Sequence, residues 1–229
     1  MLSVILPARN EEKNIGLLLE ETLSFLQDLQ AGFEILIIDD GSEDRTRELA
    51  LSYRQKHPNI HVISHARNLG YGAALCSGFS QTREDLVFFM DSDRQFDIRN
   101  LEPFLKEIPH YDFIIGYRKE RKDSLVRLLN AFLFRQAARL FFGIRVKDVN
   151  CAFKLFHSRV IQSLSLSSSG ALINLEIMAL AQKGGYKFLE LPVSHFPRKA
   201  GKQTGGNLVV VLKAMLNIFS LWWKLKQGS

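Results

Sequence analysis

Four short apolar runs each break off into a cluster of polar residues, and this repeated boundary constrains the fold more than any other feature of the chain. Residues 2–6 run into Pro7-Ala8-Arg9-Asn10-Glu11, residues 34–38 into Asp39-Asp40-Gly41-Ser42, residues 86–90 into Asp91-Ser92-Asp93, and residues 113–115 into Gly116-Tyr117-Arg118. Runs so continuously apolar suit strands covered on both faces, which is the environment of a parallel sheet. Between them the spacing turns helical, as in Ile15, Leu18, Leu19, Thr22, Leu23 and Leu26. Asn10 is expected to cap the first helix, with Glu11 and Glu12 in its first turn, and Ser42 or Asp44 the second. Residues 61–64 read as a further strand, and a turn at residues 68–72 leads into a helix from Ala73. Ligands of such sheets bind beyond the carboxyl ends of the strands, so the four clusters are predicted to share one rim.

Composition narrows the class. A chain of 229 residues with 46% hydrophobic residues can bury a full core. Its net charge of +6 points to an anionic partner: nucleic acid, a phosphorylated small molecule or an acidic membrane surface. Aromatics interleaved with basic residues and a recognition-helix pattern are not evident, so nucleic acid is not expected. Cys76 and Cys151 are far apart and outside metal-ligand spacing, which argues against a disulfide framework or zinc site and fits a reducing compartment. The first strand begins at once, with no cleavable signal ahead of it. Residues 208–225 are apolar but interrupted by Lys213 and Asn217, short of the roughly 20 uninterrupted apolar residues of a spanning helix. An interfacial amphipathic helix fits better, giving a catalytic domain over residues 1–206 and an appended helix over 207–229.

The rim can support particular chemistry. Asp91 and Asp93 flank one residue at a strand end and Gln95 follows, an oxygen-rich set that suits a hard cation such as Mg²⁺ or Mn²⁺. A nucleotide-diphosphate sugar needs such a cation, because its leaving diphosphate gains negative charge as the sugar bond breaks. A lone Asp-x-Asp is equally a solvated turn. At Asp39-Asp40 one carboxylate can accept hydrogen bonds from a base or ribose, with Asp40 favoured, while the other satisfies turn donors. Glu11 either seats the nucleoside or favours a helix dipole. Residues 67–72 carry Gly70 and Gly72 in a shaped loop without the lysine of a P-loop. Basic residues gather around Arg118 and Arg127 and again at Arg198, Lys199 and Lys202, the last group in a glycine-bearing segment suited to closing over a phosphate.

In order and spacing, Val4-Ile5-Leu6-Pro7-Ala8-Arg9-Asn10-Glu11, residues 34–46, Asn68-Leu69-Gly70-Tyr71-Gly72 and Asp91-Ser92-Asp93-Arg94-Gln95 together resemble the family 2 glycosyltransferases. The chain is most similar to the branch of dolichol-phosphate mannose synthases and bacterial polyprenyl-phosphate glycosyltransferases. The resemblance implies an α/β, Rossmann-like GT-A fold: a mostly parallel central sheet with helices on both faces, followed by the amphipathic C-terminal helix. It implies a nucleotide-sugar site of Pro7, Ala8, Arg9, Glu11, Asp39, Asp40 and Gly70 with Asp91, Ser92 and Asp93. The metal would sit on Asp91, Asp93 and Gln95. Arg118 and Arg127 would contact phosphates or acceptor, and Arg198 would sit on the loop that recognises a lipid phosphate; with Asp91 and Asp93 these form the catalytic set. Asp148-Val149-Asn150-Cys151-Ala152-Phe153-Lys154 resembles the family segment Asp-x-x-Cys-Gly-Phe-Lys/Arg, which shapes the acceptor side.

The activity so implied is inverting transfer of a sugar from a UDP- or GDP-sugar to a polyprenyl phosphate, at the cytoplasmic face of a membrane contacted peripherally. Arg9 departs from the aromatic residue of many relatives, Ala152 from a glycine, and Gly116-Tyr117-Arg118 from Gly-Ser-Arg. Two other readings are a family 2 enzyme with a soluble or polysaccharide acceptor, and a non-catalytic nucleotide-binding module.

Overall fold

The computed structural model describes residues 1–119, 125–198 and 208–227, and of residues 125–129 and 208–215 only the helical backbone. The strands are β1 (Leu2–Ala8), β2 (Phe33–Asp39), β3 (Ile60–Ser64), β4 (Leu86–Met90), β5 (Phe113–Arg118), β6 (Phe153–His157) and β7 (Phe188–Val193). The helices are α1 (Ile15–Asp28), α2 (Thr46–Lys56), α3 (Tyr71–Phe79), α4 (Leu101–Glu107), α5 (Leu125–Phe142), α6 (Ser158–Ser163), α7 (Ile173–Lys183) and α8 (Leu208–Gln227).

The strands form one sheet of order β3-β2-β1-β4-β6-β5-β7. Every pairing is parallel except those of β6, which runs antiparallel to both β4 and β5. The parallel strands therefore all end on one rim, and β6 begins there. Its reversal carries residues 148–152 back to the edge where β4 and β5 finish. The expected α/β architecture, mostly parallel, is what forms.

β1 is buried along its whole length, Ser3 included, and so is the apolar β4 beyond Leu86. At the centre Phe88 meets Phe153 edge-on at 4.7 Å, Phe153 meets Phe104 at 5.1 Å, and Phe113 stacks on Phe156 at 5.4 Å. Aromatic pairs at these separations add to the burial of their area. All the expected apolar positions of α1, from Ile15 to Leu26, are buried.

Several local expectations are corrected. Asn10 does not cap α1: it adopts a left-handed backbone (φ 55°), and the helix starts at Ile15. Glu11 and Glu12 consequently precede the helix instead of filling its first turn. At α2 the N-cap is Arg45, with no side-chain cap, in place of the expected Ser42 or Asp44; Asp44 Oδ1, one residue earlier, takes the Thr46 amide at 2.9 Å, and Ser42 Oγ accepts from Asn10 N. α3 begins at Tyr71, two residues before the expected Ala73, and residues 116–118 belong to β5. Cys76 and Cys151 are free thiols, Cys151 buried and Cys76 half-buried.

α8 packs on α5 through Phe141, whose ring lies 6.2 Å from Phe219 and 5.7 Å from Trp222, while Ile218 and Leu221 are buried. The expected division at residue 206 falls among residues 199–207, outside the described residues. Among the described residues no helix is long and apolar enough to cross a membrane.

The start of α3 meets the backbone of residues 168–169 at close range. Gly72 N and Ala73 N both donate to the Ser169 carbonyl, at 2.7 and 3.2 Å, and a Cβ on Gly72 would overlap the Ser168 carbonyl oxygen. Gly70 has φ 102° beside the same segment. Since backbone cannot yield as a flexible side chain would, Gly72→Ala is expected to destabilise by about 1–3 kcal/mol. A lower urea midpoint at unchanged slope would register this.

Candidate active site

The first two clusters are laced together. Asp40 N donates to the Ala8 carbonyl at 2.9 Å, Asn10 N to Ser42 Oγ at 3.0 Å, and Glu11 N to Thr46 Oγ1 at 2.7 Å. The left-handed turn at Asn10 lets its side chain accept from Glu43 N at 2.8 Å. Glu11 is thereby turned inward, 7% exposed, with Asn14 Nδ2 donating to its Oε2 at 2.6 Å. Pro7 and Ala8 are buried in β1 beneath this lacing, and Arg9 is an exposed residue 3.7 Å from Glu43.

Asp39, the last residue of β2, and Asp40 after it both accept hydrogen bonds within the protein. Asp40, the favoured ligand contact, is already engaged: Leu69 N and Gly70 N donate to it at 2.8 and 2.9 Å, and His65 Nδ1 lies 2.8 Å away. Burial alone would raise its carboxyl, but His65 and the two amides bring it below the usual range. Asp40 thus pins the loop that carries Gly70. Asp39 Oδ1 accepts from Ser42 N at 3.1 Å.

After β4, Asp91 and Asp93 stand close enough to repel each other. Burial, then the neighbouring Asp93 charge, pushes Asp91 up to about 7, against the pull of Tyr71, Lys154 and Arg118. Burial also raises Asp93, although its Oδ1 accepts from Gln95 N at 3.1 Å. Between them Ser92 is 3% exposed and its Oγ is buried without a partner. The Tyr71 hydroxyl is likewise buried, facing Asp91 and Asn174 without a hydrogen bond of ordinary geometry.

Arg198, just beyond β7, closes this group. Its Nη2 pairs with Glu11 Oε1, and its Nη1 lies 3.9 Å from Asp93 Oδ2. The segment leading to it is held by the turn after Asp93: Gln95 Nε2 donates to the Phe196 carbonyl at 3.0 Å, and Phe196 N to the Gln95 carbonyl at 2.8 Å. Glu11, Asp93 and Arg198 therefore converge from three strand ends. Burial raises Glu11 as well, offset by Asn14 and Arg198.

On the far side, Arg118 makes a two-pronged pair with Asp148: Nε to Oδ2 at 2.6 Å and Nη2 to Oδ1 at 2.9 Å. Below it lies Lys154, which burial brings down to about 8 against the pull of Cys151, Asp148 and Asp91. Arg127 and the basic residues Lys199 and Lys202 lie outside the described residues or side chains.

Sequence reading missed His65, Asn14 and Asn174, none of which has a motif to announce it. Lys154 and Asp148 were visible only as parts of a segment. Their signal is a lysine inside an otherwise apolar strand and an aspartate shortly after the Phe-rich helix.

A family model described as glycosyl transferase family 2 matches residues 3–165. Among curated proteins, the chain is 32% identical over 208 residues to a dolichyl-phosphate beta-glucosyltransferase of Trichomonas vaginalis, covering 84% of this chain and 64% of that protein. It is 28% identical over 208 residues to an undecaprenyl-phosphate 4-deoxy-4-formamido-L-arabinose transferase of Photorhabdus laumondii, covering 87% and 61%. The chain thus spans under two thirds of the length of these relatives. Among solved structures, glucosyl-3-phosphoglycerate synthase of Mycobacterium tuberculosis superposes with a TM-score of 0.73 at 20% identity, over 98% of this chain and 79% of that one. Mannosyl-3-phosphoglycerate synthase of Rubrobacter xylanophilus gives 0.71 at 21%, over 100% and 74%. The likeness identifies the fold as GT-A.

The Arg118–Asp148 pair is 12% and 7% exposed on its two side chains. Removing the acid strips a buried guanidinium of its principal partner, so Asp148→Ala should cost about 3 kcal/mol. Chemical denaturation of Asp148→Ala, Arg118→Met and the double variant tests this, the double being expected to recover part of the loss.

Proposed function

The chain belongs to glycosyl transferase family 2, and from that premise we propose that it moves a sugar, with inversion, from a UDP- or GDP-sugar to a polyprenyl phosphate. The observation that carries the proposal is the convergence of Glu11, Asp93 and Arg198 beside Asp91, with the Arg118–Asp148 pair across from them. Burial raises both Asp91 and Asp93, and the Asp93 charge raises Asp91 further, so the pair favours a bound cation. The residues fit a hard cation. Such an ion takes one or two carboxylates and completes its shell with substrate phosphates and water. Asp91, Asp93 and the Gln95 amide oxygen would hold Mg²⁺ or Mn²⁺, and the bound ion would offset the charge that builds on the departing diphosphate.

The remaining groups act around it. The lacing of Pro7–Glu11 against Asp39–Thr46 forms the nucleoside side, where Asp39, Glu11 and the Gly70 loop pinned by Asp40 line the donor. Arg198 exchanges its carboxylate partners for phosphate oxygens once the donor is bound. Arg118, aimed by Asp148, steadies the acceptor phosphate. That phosphate is ionised at neutral pH, so its oxygen attacks the anomeric carbon directly and no side-chain base is required. The curated relatives named above use dolichyl and undecaprenyl phosphate, which supports this acceptor. The synthase of Mycobacterium tuberculosis was crystallised with Mn²⁺ and UDP.

A membrane-held acceptor also accounts for the outer face of α5 and α8. Leu140 is 79% exposed, and Leu216, Phe219 and Trp223 are exposed at helical spacing on α8, with Lys224 and Lys226 beside them. An apolar stripe edged by lysines is the make-up of an interfacial helix. A cavity of about 480 Å³ lies between this helix, at Leu221 and Lys224, and Asn150 with the 167–172 loop. It offers a route from that face toward the acceptor side.

Mn²⁺ together with UDP or GDP should raise the melting temperature, and Asp93→Ala should abolish the metal-dependent part. Labelled donor incubated with polyprenyl phosphate should send label into the organic phase; label that stays in water removes the lipid acceptor. Arg198→Ala should bind Mn²⁺ severalfold more tightly than wild type in the absence of nucleotide, read by the free-ion EPR signal, since it clears a competing cation. Phe219→Ser with Trp223→Ser should cut co-flotation with anionic vesicles, and equal flotation of both proteins would discard the membrane face.

A further inference from the structure

Lys154 occupies the second position of β6 and is completely buried, at 0% exposure, yet the reaction outlined above gives it no task. Its Nζ donates to the carbonyl oxygens of Val149 at 3.3 Å and of Cys151, and to Asn174 Oδ1 at 2.6 Å. The Phe89 ring lies 5.4 Å away on another side. An ammonium taken out of water is expensive even when fully hydrogen-bonded, and its removal would leave Asn174 Oδ1 and two carbonyls without their donor.

What the ammonium does is gather separate pieces of backbone and side chain. Both carbonyls belong to the turn that returns the chain to the rim ahead of β6. That turn opens with Asp148, the residue that grips Arg118 in two parallel bonds. The third partner, Asn174, is 3% exposed on α7 and stands beside the Tyr71 hydroxyl that faces Asp91. One buried group thus ties the segment that aims Arg118 to the layer beneath Asp91.

We infer that Lys154 is a positioning residue for the phosphate side of the site: it clamps the 148–152 turn against α7 and so sets the direction of the Arg118 guanidinium without touching substrate. The kinetic consequence rests on the glycosyl-transfer reading, whereas the clamp itself does not.

The test uses Lys154→Met and Lys154→Arg in the full chain, each alone and with Arg118→Ala. Hydrogen exchange of the peptide spanning residues 148–152 should quicken in Lys154→Met, while peptides from β1 and β2 stay protected. Turnover should fall roughly 10- to 100-fold, with the donor KM held within about twofold. The loss should largely vanish in the Arg118→Ala background, because the two residues act through one contact. Lys154→Arg, which keeps the cation, should recover most of the activity. Unchanged exchange at residues 148–152 overturns the inference, and so does a loss that simply multiplies with that of Arg118→Ala. If Lys154→Met does not fold, Asn174→Ala removes one of the three partners and is carried through the same cycle, where unchanged exchange or a multiplying loss again overturns the inference. A wild-type protein that transfers no sugar would sink the proposed reaction, while the exchange measurement would still decide whether the clamp exists.

Discussion

The ends of β1 and β4 bring Asp93 within electrostatic reach of both Glu11 and Asp91, and burial pushes each of the three carboxyls toward its protonated form. Much of the surrounding architecture can be read as the supply of positive charge and donors to this crowded edge. Arg198 reaches it from beyond β7, Arg118 from the end of β5 and Lys154 from beneath. Desolvated like charges are tolerable only with such compensation. A fold that merely satisfied its own acids would pair each one closely. Here Asp91 is supported by Tyr71, Lys154 and Arg118 without a close ion pair, and Arg198 Nη1 lies 3.9 Å from Asp93.

The reversal of β6 makes this supply geometrically feasible. Had β6 run parallel to β4, its leading turn would sit at the opposite end of the sheet, and Asp148 could not meet Arg118. Antiparallel pairing with both β4 and β5 returns residues 148–152 to the working rim and places Lys154 under it. The same strand contributes Phe153 and Phe156 to the aromatic centre. One strand therefore serves both the packing of the sheet and the electrostatics of its edge.

The parts legible in the sequence were those whose signal is local. β1, β2 and β4 announce themselves by largely apolar runs, and α1 by its helical period; the acidic clusters stand out because they end those runs. Asp40 shows where local reading stops, since its carboxylate is filled by amides and a histidine from 25 to 30 positions away. Asn10 reads as a cap by residue type, but tertiary bonds to Ser42 and Glu43 hold it in a left-handed turn instead. β6 was hidden because a lysine interrupts the apolar pattern that would mark it, and the reason for that lysine lies on α7.

Arg198 and Glu11 are separated by 187 positions, and Gln95 and Phe196 by 101. Contacts so distant along the chain form only after large loops have closed. A nascent polypeptide leaving the ribosome thus exposes its acidic edge through most of translation without the guanidinium that will later face it. The guanidinium that faces Glu11 and Asp93 is supplied by the C-terminal third of the chain, so fragments ending before β7 keep these two acids without Arg198.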